Sequence, residues 1–62
     1  MLKKYMKENN LKPTELAERM HLSISTTYRI LNGKNVGPRS IKAVAKLLNK
    51  EVLEVYAYYK QS

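Results

Sequence analysis

The stretch PTELAERMHLSISTTYRILN, residues 13–32, decides the fold. Its apolar and small residues sit where two short helices joined by a tight turn need them: Leu16, Ala17 and Met20 on the first, Leu22 in the turn, Ile30 on the second. Leu16 and Met20 are four residues apart and share a helical face, over which Ile30 can close. Helices that cross steeply touch at one point near their ends, and Ala17 is small enough for the backbones to approach there. Ser23 is an N-cap whose hydroxyl accepts from the amide of Ser25 or Thr26, so the second helix starts one residue later. Asn32-Gly33 ends it, since glycine enters the left-handed conformation without a Cβ penalty.

Working outward, the same rules give an all-α chain, a bundle of short helices at about 2–9, 13–20, 24–31, 39–48 and 52–59. Pro13 suits the first position of its helix, where the missing N–H costs nothing. The breaks at Asn9-Asn10, His21, residues 33–37 and Asn49-Lys50 are too short to be linkers, so residues 1–62 are expected to form one domain. In the fourth helix Ile41, Val44, Ala45 and Leu48 recur at helical spacing. Lys42, Lys46 and Lys50 run down another face, which reads as solvated in preference to a DNA contact. From Glu51 to Tyr59 the signal divides: Val52, Val55, Tyr56 and Tyr59 share a helical side, while Leu53, Val55, Ala57 and Tyr59 alternate as in a strand. The tyrosines there exceed what a tiny core needs, and read either as a self-association surface or as extra core cover.

Size and composition narrow the class. A 62-residue chain leaves no room for a second, effector-binding domain, so no small-molecule effector is expected. Cysteine is absent, which excludes disulfides and thiolate metal sites. No apolar run is long enough for a membrane span and the opening residues lack a signal-peptide core, so the expected setting is the bacterial cytosol or nucleoid, with no membrane partner. Twelve Lys and Arg against five Glu and no Asp give a net charge of +7, which suits a polyanionic partner. The sole histidine, His21, has no cysteine or aspartate to work with, so neither an enzyme nor a metal site is expected, and no cofactor.

The segment SISTTYRILNGK, residues 23–34, together with Leu11–Ala17 and Ile41–Leu48, resembles the phage repressor and Cro class of helix-turn-helix DNA-binding domains. It is similar as well to the headpieces of lactose-repressor-type regulators. The resemblance covers nearly the whole chain and favours a helix at the C-terminal end, although some short Cro-like proteins pair through a strand there. Five positions depart from the family pattern. His21 stands where glycine is usual and must tolerate positive φ. Thr27 replaces a buried Val or Ile, its methyl facing the core and its hydroxyl bonding back one turn. Met6 and Leu31 replace an Arg–Glu pair found in many phage repressors, so that contact is expected to close without charge. Pro13 replaces a glutamine that bonds a phosphate, which removes one backbone contact.

The partner implied is double-stranded DNA, entered through the major groove at an inverted-repeat operator by a homodimer. Side chains projecting from the first turns of a recognition helix read bases, and here these are Ile24, Ser25, Tyr28 and Arg29. Arg29 reads either as a bidentate guanine contact or as a phosphate clamp. By resemblance the DNA backbone contacts fall to Lys12, Thr14, Ser23, Thr26, Asn32, Lys34 and Arg39. The dimer seam is expected among Val36, Val55, Tyr56 and Tyr59. These expectations describe a Cro-like repressor; an excisionase-type architectural factor, an antitoxin or another protein-interaction module are the alternatives.

Overall fold

The structure, a computed structural model, describes residues 1–60. Five helices follow in order: α1 (Leu2–Asn9), α2 (Pro13–Met20), α3 (Ile24–Leu31), α4 (Pro38–Leu48) and α5 (Val52–Lys60). Among the described residues there is no strand, so the divided signal after Glu51 resolves to helix. The expected boundaries shift by one residue at the start of α4 and at the end of α5. Pro38 opens α4 as Pro13 opens α2, because at the first helical position proline gives up only an amide that had no partner.

One device ends four of the helices. After α1, α2, α3 and α4 the chain turns through a left-handed residue, at Asn10, His21, Gly33 and Asn49 respectively. In each case the next amide reaches back to the carbonyl five residues before it, as Leu22 does to Ala17 at 3.0 Å and Lys34 to Arg29 at 2.9 Å. Only one of the four is glycine. His21 adopts φ 57°, as its position requires, at a steric cost of about 1 kcal/mol relative to glycine.

The helix-turn-helix unit holds together through Leu16, Ala17 and Met20 of α2 and Thr27 and Ile30 of α3, all buried. Thr27 is fully buried, and its Oγ1 donates to the Ser23 carbonyl at 2.9 Å, so the hydroxyl is satisfied where the family usually places an apolar side chain. Ile41, Val44 and Ala45 of α4 complete the core, with Leu2 from α1. Met6 and Leu31 pack half-buried against this cluster, an uncharged closure. Every buried side-chain nitrogen or oxygen among the described residues has a hydrogen-bond partner.

Two expected seam residues belong to the core instead. Val36 is 3% exposed and Val55 fully buried. Val36 follows Asn35, whose left-handed φ of 51° bends the loop before α4. Val55 is the only buried residue of α5, which packs on α4 and leaves Val52, Leu53, Tyr56 and Tyr58 in solvent. No helix of the described residues is long and apolar enough to cross a membrane.

Candidate nucleic-acid interface

With about 100° of rotation per residue, α3 divides cleanly into two faces. Thr27 and Ile30 point into the core, and Ser25, Tyr28 and Arg29 point away from it with the cap residue Asn32, all exposed. Ile24 flanks this outer face on the side of α2, beside Thr14, Ala17 and Leu22, and remains 41% exposed. The four side chains expected to read bases therefore lie together on accessible surface. Polar and aromatic groups dominate it, and only Ile24 is aliphatic.

The first turn of α3 carries its own hydrogen-bond network. Ser23 Oγ accepts from the Thr26 amide at 3.2 Å, the cap that begins the helix. The same hydroxyl donates to Thr26 Oγ1 at 2.9 Å and lies 3.3 Å from Ser25 Oγ. Thr26 Oγ1 also accepts from the Arg29 guanidinium at 3.2 Å. Thr26 thus takes two bonds and keeps its own proton to give. Arg29 is steadied along the helix with one of its five N–H donors engaged, which leaves enough for a bidentate contact.

The backbone-contact candidates fall in three places. Asn32 caps α3 and Lys34 follows it, both exposed. Arg39 is exposed on the first turn of α4, a turn that carries no acidic residue. Lys12 and Thr14 sit at the start of α2, where the sequence suggests amides open to an anion. That end is already served in part: the Lys12 amide donates to Glu15 Oε1 at 2.8 Å, and Pro13 has no N–H. Lysine cannot accept the reciprocal bond, so only half of a capping box forms. Glu15 is thus a helix-end ligand whose carboxylate competes with any phosphate there.

Sequence reasoning also passed over Arg19. Its guanidinium donates to Tyr5 Oη at 2.8 Å and lies 6.0 Å from the centre of that ring, tying the last turn of α2 to α1. An aromatic and a cation fourteen residues apart leave no periodic signal that pairs them.

Comparison with known proteins agrees with this geometry. The family model described as helix-turn-helix matches residues 2–55, from the first residue of α1 to the one buried residue of α5. No curated protein and no solved structure matches the chain significantly. With the match spanning most of its length and the paired helices built as described, the chain belongs to the Cro/repressor type of the helix-turn-helix family, whose members are DNA-binding regulators.

Proposed function

We propose that this protein is a sequence-specific transcriptional repressor that binds an inverted-repeat operator as a homodimer and blocks promoter access by occupying it. The observation that carries this reading is the outer face of α3, where Ser25, Tyr28, Arg29 and flanking Ile24 present hydrogen-bonding and methyl-contacting groups on one exposed surface. In the major groove Arg29 pairs with the two acceptors of a guanine and Ile24 packs on a thymine methyl. Thr14, Ser23, Thr26, Asn32, Lys34 and Arg39 fix the register through phosphates, with Lys12 contributing its side chain. One short helix reads too few base pairs to select a genomic site, so two units are needed, their recognition helices about 34 Å apart on one side of the duplex.

Selection of bound sequences from a random DNA pool tests this reading. The expected product is a short inverted repeat with half-site centres about 10 base pairs apart. Arg29→Ala then costs about 1 to 3 kcal/mol on that site and relaxes preference at one position per half-site. A uniform loss on all sequences would make Arg29 a phosphate clamp, and selected direct repeats would point to an architectural, excisionase-type factor.

A further inference from the structure

The lysine row of α4 divides in the structure. Lys50 is occupied locally, its ammonium 3.2 Å from Glu54 Oε2. Lys42 and Lys46 instead line a cleft between α4 and the first turn of α3, with Arg39 beside them and Ser23 and Thr26 across from them. No carboxylate borders this cleft. Among the described residues, none of the three cations has an ion-pair partner.

The charge pattern behind this is uneven along the whole chain. Seven of the twelve Lys and Arg lie from Arg19 to Lys50, and none of the five glutamates does. That segment carries the entire +7, and the other five cations and five glutamates cancel. A merely solvated helix face interleaves both signs, which lets neighbours one turn apart attract. Helix α4 contains no acidic residue at all, so Arg39, Lys42 and Lys46 repel one another at i, i+3 and i+7 with nothing in the fold to offset it. A stability cost with no internal compensation marks a surface made for an external anion.

We infer that the α3–α4 cleft is a phosphate-binding strip, in which Lys42 and Lys46 carry the DNA contact from the recognition helix onto α4. This rests on the DNA-binding reading of α3. From Arg39 to Lys46 the helix rises about 10 Å, the axial length over which one strand of a duplex presents about three phosphates. Thr26, with its proton still free, adds a neutral donor at the α3 edge of the strip. Ammonium groups on flexible stems act as point charges, so the strip adds affinity without reading sequence.

Titrating the whole chain against a mixed-sequence DNA duplex over a range of salt tests the assignment. Lys42→Gln/Lys46→Gln makes the slope of log affinity against log salt shallower by about 2 per bound chain. Lys50→Gln/Lys60→Gln removes the same formal charge from outside the cleft and leaves the slope where it was. Equal effects of the two doubles, or no effect of the first, would overturn the strip and leave the two lysines as general surface charge. A wild-type chain whose binding ignores salt would remove the DNA reading of α3, and the strip with it.

Discussion

Helices α3 and α5 are of nearly equal length and each has a wide exposed face, yet the two faces have opposite chemistry. On α3 the solvent side is Ser25, Tyr28, Arg29 and Asn32, and a hydrogen-bond network that begins at the Ser23 cap steadies Ser25 and Arg29. On α5 the side opposite Val55 carries Leu53, Ala57 and Lys60, flanked by Tyr56 and Glu54, and Leu53 is 80% exposed. A polar, internally organised surface loses little by facing water and is ready for a polar partner such as a base edge. A face with Leu53 and Tyr56 open to water on so small a chain is costly to leave uncovered, and those side chains suit a second apolar surface. The contrast teaches that two kinds of contact are divided between two helices: we propose that α3 faces DNA and that α5 faces a second copy of the chain.

The sharpest way to break this comparison is to exchange the buried and exposed positions of α5. Val55→Asp places a carboxylate where no partner exists and should cost at least about 3 kcal/mol, read as a loss of the denaturant midpoint. Leu53→Asp, two residues away and on the open side, should change stability by no more than about 0.5 kcal/mol. Similar losses for both would mean that α5 rotates about its axis and has no fixed inner side.

The next effect concerns assembly. If the open side of α5 is the seam, Leu53→Gln/Tyr56→Gln should leave the monomer folded, weaken self-association by about 2 kcal/mol, and convert cooperative two-site occupancy into independent binding. Sedimentation with a gel-shift titration on the selected operator reads both changes. Cooperative occupancy that survives the substitutions would move the dimer contact off α5 altogether, and the exposed apolar side chains would then need another occupant.

How far the sequence could be read differs between these same two regions. In α2 and α3 each signal was local and single-valued: the Ser23 cap, the spacing of Leu16, Met20 and Ile30, and the glycine after Asn32 all name one structure. The Thr27 back-bond was legible too, because a hydroxyl at a buried helical position has only the preceding turn to bond. On α5 the spacing groups Val52, Val55, Tyr56 and Tyr59 on one helical side, but the same pattern serves a seam or a core, so it does not tell that Val55, expected in the seam, is the buried anchor. Val36 failed for a related reason, since a lone β-branched residue in a loop has no repeat to betray its burial. The start of α4 was within reach: the rule applied to Pro13 applies equally to Pro38. The division of the lysine row was not, because Glu54 and the α3–α4 cleft take part only through the fold.

The smallest expected effect sharpens the comparison at the inner edge of α5. Tyr59 is half-buried against the core cluster and meets the Tyr58 ring edge-on, with centroids 4.9 Å apart. Burial, and then the charge of an ionised Tyr58, push its hydroxyl from the ordinary 10.0 up to about 12. In the unfolded chain that proton leaves near pH 10, and in the folded chain it is held, so the folded state loses ground as the pH climbs between the two values. The contribution is complete below pH 10 and gone above about 12. The useful quantity is the difference between wild type and Tyr59→Phe in thermal stability across that range. Tyr59→Phe should flatten the alkaline decline, whereas Tyr56→Phe, on the open side of the same helix, should leave it unchanged. Equal declines in all three proteins would mean that the last turn of α5 is as wet on its inner side as on its outer one, and the contrast between α3 and α5 would then end at Val55.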